Sequence, residues 1–338
     1  MRIDELRKLA AKRRLDQIVV RDEANVRALT GVRCDNAILT LDGFYTDFRY
    51  VPMVHRVAPE LKVRDIRRFR VAGARIGYES SVSHAIFCRL QKGAPHAKFV
   101  DIAGDLLKLR SVKRAEEVAA LRAAERLNCT IWNAAKVRFR AGMTERAMAR
   151  IIQKMMIEKG EGEAFATIVC VGANAAECHH EPDDTVWNGR EPVLVDMGVK
   201  LNGVCSDLTR NLVPRSSRGA RVSRTYRQVY GLVLEANLAA IAAAKPGMTG
   251  RALDKVARDV IKRGGFGKCF GHSLGHGVGY EIHEAPYASK KGDMVLKPGM
   301  LVTIEPGIYL EDNLGVRIED LVLITETGCE VLSSGASK

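Results

Sequence analysis

The chain has 338 residues, of which 46% are hydrophobic and 28% are charged. This composition excludes a disordered or fibrous protein, and the length favours two domains over a single small module. The net charge is +13, but aromatic residues make up only 6% of the chain. We therefore predict a solvated basic surface and no nucleic-acid partner, since single strands are bound on stacked aromatic side chains.

The N-terminal sequence has the features of neither a signal peptide nor a membrane anchor. Residues 1–20 are amphipathic and charged and lack the apolar stretch of a secretory signal. No apolar run approaches the roughly 18 residues that a membrane-spanning helix needs. The eight cysteines are scattered without a framework spacing, which is typical of reduced thiols. We therefore predict a cytoplasmic protein without disulfides.

Short helical and strand patterns alternate over the first third of the chain. The predicted elements are a helix at 2–14 and strands at 17–20, 36–41, 44–46 and 75–78. Asp42 and Gly43 stand between two apolar runs, which is a strong signal for a β-hairpin. This alternation predicts an α/β domain.

A long helical pattern predicts a helix over Ala115–Val137. Ser111 is the predicted N-cap of this helix, because a serine side chain can accept a hydrogen bond from the first unpaired amides. We therefore place a domain boundary here, with an α/β domain at 1–110 and an α+β domain at 111–338.

The second domain contains an internal repeat. The sequence GMTERA at 142–147 recurs as GMTGRA at 247–252, and each copy follows one helical pattern and opens another. Thr144 and Thr249 are the predicted N-caps. An apolar strand follows in each copy, ending at Asp196 in the first and at Glu305 in the second. The order of elements predicts two similar halves related by a pseudo-twofold axis.

Four carboxylates occupy related positions in the two halves. Asp196 ends the first strand, and Asp207 lies on the predicted return strand, so we expect the two at facing positions across a hairpin. Glu305 ends the equivalent strand of the second half, and Glu319 lies on its return strand. Four carboxylates buried among apolar residues cannot all stay ionised without cations. The pattern therefore predicts bound metal ions.

Histidines are concentrated in the glycine-rich segment Gly271–Glu284, which contains His272, His276 and His283. The glycines disfavour a helix, so this is not a helical zinc motif. Three histidines beside such backbone favour one metal ligand together with proton-transfer groups. His179 occupies the matching place in the first half.

Several segments of the second domain, taken together, resemble the pita-bread metallopeptidases, which include methionine aminopeptidase, aminopeptidase P and prolidase. The segments are VDMG at 195–198, CSDLTR at 205–210, 271–284, TIEPG at 303–307 and GVRIED at 315–320. The resemblance implies two metal ions held by five ligands: Asp196, Asp207, His276, Glu305 and Glu319. It also implies accessory roles for His179, His272, His283 and Arg317. One departure is Glu177-Cys178, where that family commonly has a proline before the histidine.

The first domain resembles the creatinase/prolidase N-terminal domain at 46–50 and 109–113. Methionine aminopeptidases usually lack this domain, and creatinase lacks the metal ligands. The resemblance therefore implies an Xaa-Pro peptidase that cleaves peptides with proline at the second position. We favour the dipeptidase, prolidase, with aminopeptidase P as the alternative. A homodimer and two divalent ions are also implied, with Mn2+ or Co2+ favoured and Zn2+ or Fe2+ as alternatives.

The same resemblance suggests how the reaction proceeds. Glu305 would accept a proton from the attacking water, and His272 and His283 would stabilise the oxyanion or donate a proton to the proline nitrogen. Arg317 would contact the substrate or pair with Glu319 or Asp207. A non-catalytic pita-bread protein that binds a partner through its basic charge is the alternative of another class.

Overall fold

The computed structural model describes residues 2–214 and 222–338. The chain divides into two compact units, Met1–Arg110 and Ser111–Lys338. The first unit mixes parallel strands with helices, and the second combines long helices with antiparallel sheets. The predicted α/β and α+β classes are thus confirmed. Among the described helices, none is long and apolar enough to cross a membrane. All eight cysteines are free thiols.

The first unit contains two three-stranded sheets. Its helices are α1 (Ile3–Arg13), α2 (Glu23–Thr30), α3 (Val51–Val57), α4 (His84–Gly93) and α5 (Ala103–Ser111), with α5 ending one residue into the second unit. Its strands are β1 (Gln17–Val19), β2 (Ala37–Leu39), β3 (Phe44–Thr46), β4 (Val63–Asp65), β5 (Arg75–Tyr78) and β6 (Lys98–Asp101). Strands β1, β5 and β6 are parallel. The hairpin predicted at Asp42 and Gly43 joins β2 to β3.

The second unit holds the longest helices. They are α6 (Ala115–Lys136), α7 (Glu145–Lys159), α8 (Arg224–Ala243) and α9 (Gly250–Arg263). Its strands are β7 (Ile168–Val171), β8 (Val193–Met197), β9 (Leu208–Leu212), β10 (Gly275–Gly277), β11 (Glu284–Ala288), β12 (Leu301–Ile304), β13 (Gly307–Leu310), β14 (Leu314–Arg317), β15 (Asp320–Ile324) and β16 (Cys329–Val331). One antiparallel sheet has the order β7-β8-β9, and another has the order β12-β15-β16.

The start of α6 differs from the prediction. Ser111 is buried and ends α5, so it cannot cap the next helix. Arg114 is the N-cap instead, and its amide donates to the carboxylate of Glu117 at 2.7 Å. A glutamate at this third helical position satisfies one of the amides that a helix start leaves unpaired.

The predicted internal repeat is present in the backbone. Thr144 Oγ1 accepts a hydrogen bond from the amide of Ala147 at 3.1 Å, and Thr249 Oγ1 accepts from the amide of Ala252 at 3.2 Å. Each half has its own apolar core, which supports the two-half organisation. The first core includes Ile131, Trp132, Met148 and Val195, and the second includes Val233, Ala257, Val302 and Val322.

Candidate metal centre

The first half contributes two aspartates from adjacent strands. Asp196 lies on β8 and is paired with Thr209 of β9. Asp207 precedes Thr209 by two residues, just outside β9, so the expected direct facing of the two aspartates is wrong. Side chains two residues apart on an extended chain point to the same side. Asp207 therefore still lies on the side of the hairpin that carries Asp196.

The second half contributes two glutamates next to strand ends. Glu305 follows β12, and Glu319 lies between β14 and β15 rather than within one return strand. Strand β14 pairs with β13, whereas β15 pairs with β12. Glu319 thus sits where the chain changes its partner strand, and its side chain is only 1% exposed.

His276 brings the two halves together. Its Nε2 lies 3.6 Å from Oδ2 of Asp207 and 3.3 Å from Oε1 of Glu305. One ligand atom from each of Asp207, His276 and Glu319 can be chosen so that all lie within 4.8 Å of one another. Gly275 makes this approach possible, because a Cβ atom there would lie 1.9 Å from the carbonyl oxygen of Thr303.

Arg317 pairs with Asp196, the remaining one of the four carboxylates. Its Nη2 lies 2.7 Å from Oδ2 of Asp196, and its Nε donates to Oγ1 of Thr209 at 3.1 Å. The predicted pairing with Glu319 or Asp207 is therefore wrong. Thr209 in turn donates to Oε2 of Glu319 at 2.8 Å. Arg317 thus reaches Glu319 through the threonine hydroxyl, and its charge also opposes the rise that burial causes in the pKa of Glu319.

Burial and mutual repulsion make it costly for the carboxylates of the cluster to ionise together. Burial, followed by the charges of neighbouring carboxylates, raises the pKa of Asp207 and of Glu319 well above the usual range. Burial also raises the pKa of Asp196, although Arg317 opposes the shift. Burial acts in the same direction on Glu305, but the hydrogen bond and charge of His276 lower its pKa to about 2.

Two buried oxygen atoms indicate what the cluster is built to hold. Oδ1 of Asp196 and Oε1 of Glu319 have no hydrogen-bond partner within the described part of the chain. Buried polar atoms are nearly always paired, and leaving one unpaired costs about 1–3 kcal/mol. Oxygen-rich sites with one imidazole suit divalent cations. The donor set and its unpaired oxygens therefore fit metal binding.

The remaining predicted histidines surround this cluster. His283 is exposed and packs edge to face on His276, with 4.3 Å between ring centroids. His272 is held at both ring nitrogens, because Nδ1 lies 2.7 Å from the carbonyl oxygen of Ser273 and Nε2 lies 2.9 Å from the hydroxyl of Tyr309. A carbonyl only accepts, so Nδ1 carries the proton and Nε2 accepts from Tyr309.

Sequence reasoning missed several residues that hold the cluster. Tyr309 accepts from Nη1 of Arg317 at 2.9 Å, and Glu125 accepts from the amide of Asp207 at 3.1 Å. Their helix and strand positions carry no special signal. Thr209 and Thr303 do carry one, because each is two residues from a cluster carboxylate along an extended segment. Thr303 donates to Oε1 of Glu305 at 3.0 Å.

Comparisons with known proteins agree with this architecture. The model of metallopeptidase family M24 matches residues 119–326, and that of the creatinase/prolidase N-terminal domain matches residues 2–112. The chain is 33% identical over 344 residues to the Xaa-Pro dipeptidase of Pyrococcus furiosus, covering 98% of this chain and 97% of that protein.

Two solved structures extend the likeness to the whole fold. The Xaa-Pro dipeptidase from Bacillus anthracis superposes with a TM-score of 0.91 at 29% identity, covering 100% of this chain and 98% of that one. The X-Pro aminopeptidase from Thermotoga maritima gives 0.83 at 31% identity, covering 96% and 97%. The chain therefore belongs to metallopeptidase family M24, with a creatinase/prolidase N-terminal domain ahead of a pita-bread peptidase domain.

Proposed function

We propose that this protein is an Xaa-Pro dipeptidase that hydrolyses the bond before proline with two divalent metal ions. The observation that carries the proposal is the meeting of Asp207, His276 and Glu319, from opposite halves of the repeat. Likeness along the whole chain to a Pyrococcus furiosus Xaa-Pro dipeptidase supports the substrate class. The alternative of a non-catalytic binding protein does not explain why buried carboxylate oxygens stay unpaired.

Five side chains would hold the ions: Asp196, Asp207, His276, Glu305 and Glu319. Mn2+ and Co2+ suit this oxygen-rich donor set, and Fe2+ and Zn2+ are alternatives. Bound divalent ions would act as Lewis acids on the scissile carbonyl and make water a nucleophile near neutral pH. Burial and the neighbouring carboxylates raise the pKa of Asp207 and Glu319, so keeping all the carboxylates ionised requires cations, which supports the proposal.

The proton transfers would be divided between Glu305 and the histidines. We assign acceptance of the water proton to the carboxylate of Glu305, which Thr303 orients by a hydrogen bond to Oε1 at 3.0 Å. His283 is the better donor to the proline nitrogen, because it is exposed beside His276. His272 is engaged at both nitrogens, so we assign it to holding Tyr309 and the oxyanion side of the site.

Arg317 is assigned to positioning rather than to proton transfer. Arg317 is only 3% exposed, and its guanidinium forms hydrogen bonds with Asp196, Thr209 and Tyr309. A side chain so fully engaged orients the carboxylate that it pairs with. His179, which is exposed, is assigned to contact with the peptide.

The substrate itself sets a further requirement. The bond before proline has no N–H group, and the ring fixes the backbone dihedral. A dipeptidase must also hold the free carboxylate of the product, whereas an aminopeptidase must leave room for a continuing chain. The likeness to a Thermotoga maritima X-Pro aminopeptidase keeps aminopeptidase P as the second candidate. A cytoplasmic homodimer remains our prediction for the assembly.

A comparison of three substrates tests the proposal. We expect Ala-Pro to be cleaved far faster than Ala-Pro-amide or Ala-Pro-Ala in the presence of Mn2+ or Co2+. A site that binds the terminal carboxylate of the dipeptide through a cationic side chain discriminates strongly against the amide and the tripeptide, because neither offers a carboxylate at that position to pair with the cation. Comparable kcat/KM for the dipeptide and tripeptide would replace the dipeptidase with aminopeptidase P. Absence of cleavage of all three would refute both.

A further inference from the structure

A second group of ionisable side chains lies outside the metal centre, at the start of α7. Glu145 is the first residue of that helix and is fully buried. Its carboxylate, His180 and Asp183 offer ligand atoms that lie within 4.8 Å of one another. The hydrogen bonds of this group determine whether it binds an ion or holds the chain.

Both oxygens of Glu145 are occupied by the last residue of β7 and the chain that follows it. Oε1 accepts from the amide of Val171 at 2.6 Å and from Nδ2 of Asn174 at 2.9 Å. Oε2 accepts from the amide of Asp183 at 3.2 Å and lies 2.7 Å from Nε2 of His180. One buried carboxylate thus binds both ends of a single segment, and its oxygens are satisfied without an ion.

We call the segment Val171–Asp183 the anchored loop. His180 attaches the loop to Glu145 through Nε2, and its Nδ1 lies 3.2 Å from the carboxylate of Glu177 within the loop. Burial lowers the pKa of His180, but hydrogen bonds to Glu145 and Glu177 and the charges of Glu145 and Asp183 outweigh burial and raise it above the ordinary value. The imidazole is therefore held from both sides by carboxylates.

The anchored loop also contacts the metal centre. The carbonyl oxygen of Cys178 accepts a hydrogen bond from Nη1 of Arg317 at 3.4 Å. His179 stands between Cys178 and His180, both of which are fixed, yet its own side chain is exposed. His179 therefore directly follows the residue whose carbonyl oxygen contacts Arg317.

We propose that Glu145, acting through His180, is the residue that positions His179 for the peptide substrate, which rests on the proposed function. Glu145 contacts neither the cluster carboxylates nor His179 itself within the described residues. Its effect passes through the backbone, since fixing Cys178 and His180 leaves little freedom to the residue between them. This makes Glu145 a positioning residue and not a catalytic one.

The test is a double-mutant cycle between Glu145→Gln and His179→Ala. The glutamine has the shape of glutamate, but its amide hydrogens would face the donor N–H of Asp183. We expect Glu145→Gln to lower kcat/KM for Ala-Pro about tenfold, as for other residues that orient a site. In the His179→Ala background the same change should cost less than about twofold, because the two act as a unit.

Two further variants separate positioning from a general loss of stability. His180→Gln should show the same coupling to His179→Ala. Asp184→Asn is the matched control, since Asp184 pairs with Arg146 on the surface next to the anchor and is 79% exposed. It should leave kcat/KM unchanged in both backgrounds.

Amide hydrogen exchange gives a readout that does not depend on activity. The amides of Val171 and Asp183 should exchange faster in Glu145→Gln than in the wild-type protein. Their exchange rates should not change in Asp184→Asn. An equal loss of kcat/KM in both backgrounds, no loss at all, or unaltered exchange would overturn the proposal. If wild-type protein fails to cleave Ala-Pro, the proposed function is refuted, and exchange alone then decides whether the anchor exists.

Discussion

The two halves of the peptidase domain begin their second helix with the same backbone hydrogen bonds. The amide of Glu145 donates to the carbonyl oxygen of Thr185 at 3.1 Å, and the amide of Gly250 donates to that of Met294 at 3.1 Å. The two helix starts are therefore equivalent, although the sequences at these positions differ by a charged side chain.

The difference between Glu145 and Gly250 lies in how each half holds its site loop. A Cβ atom at Gly250 would lie 2.1 Å from the carbonyl oxygen of Tyr287, so no side chain fits there. The second half uses a pair one turn further along α9. Asp254 accepts from the amide of Leu274 at 3.1 Å, and Arg258 pairs with Asp254 at 2.8 Å.

Arg258 completes the second attachment. It donates to the carbonyl oxygens of Phe270 at 2.9 Å and of His272 at 2.8 Å. The first half thus holds its loop by a carboxylate and a histidine, and the second by a carboxylate and an arginine. The repeat preserves the backbone scaffold and leaves each half free to hold its own loop by different side chains.

The largest expected effect comes from removing one cluster carboxylate from either half. Asp207→Asn and Glu319→Gln should each lower kcat/KM by at least about 10³-fold, more than the loss of one oxyanion donor. Both should also lose bound metal, measured by elemental analysis. Asp293→Asn, on an exposed pair with Arg251, is the control. Retained metal and activity in one of the two would show that its half is dispensable.

The arginine attachment should contribute strongly to stability. Asp254 is 2% exposed, and removing one partner of a buried ion pair costs about 3 kcal/mol or more. We therefore expect Asp254→Asn to lower the free energy of unfolding in urea by about 3 kcal/mol. Asp293→Asn, at an exposed pair, should change the free energy of unfolding by less than about 0.5 kcal/mol. Equal effects would mean that Arg258 does not hold the loop.

The histidine attachment should depend on pH, whereas the arginine attachment should not. Because the pKa of His180 is raised, its stabilising contribution is complete below its ordinary value and is lost as the pH rises through the raised one. The groups that face it are Glu145, Glu177 and Asp183.

The stability difference between wild type and His180→Gln should therefore shrink as the pH rises above the ordinary histidine pKa of about 6.5. The stability difference between wild type and Arg258→Gln should not change with pH near neutrality, since a guanidinium keeps its proton there. Urea unfolding at several pH values measures both. A constant difference for His180→Gln would mean that its charge does not stabilise the loop.

The smallest expected effect concerns the two equivalent helix caps. Thr144→Ala and Thr249→Ala should each lower the free energy of unfolding by about 1 kcal/mol, because each hydroxyl accepts from an amide of the first turn. The matched changes Thr144→Ser and Thr249→Ser keep the hydroxyl and should cost less. A clearly larger loss of stability for one threonine-to-alanine change than for the other would contradict the equivalence of the two helix starts.

Local patterns in the sequence predicted the scaffold well. The Asp42 turn, the threonine caps and the two strands that end at carboxylates all depend on short-range preferences. The repeat made the second half predictable from the first. Grouping of the carboxylates followed from their related positions in the two halves of the repeat and from the cost of burying several charges together.

Contacts across the fold could not be predicted in the same way. The partner of Arg317 was wrong because a long side chain can meet any of several carboxylates, and the choice depends on strand register. Asp207 was misplaced by two residues because the hairpin turns at Asn202 and Gly203, where Leu201 bridges Val204, and this register pairs Asp196 with Thr209. Glu145 and Tyr309 act through contacts that no spacing in the sequence marks.

Metal removal and restoration tests the central claim most directly, namely that carboxylates from both halves and His276 form one divalent metal centre. Protein stripped with EDTA and shown by elemental analysis to be metal-free should not cleave Ala-Pro. Added Mn2+ or Co2+ should restore cleavage as binding approaches two ions per chain. Full activity in the metal-free protein would contradict the account.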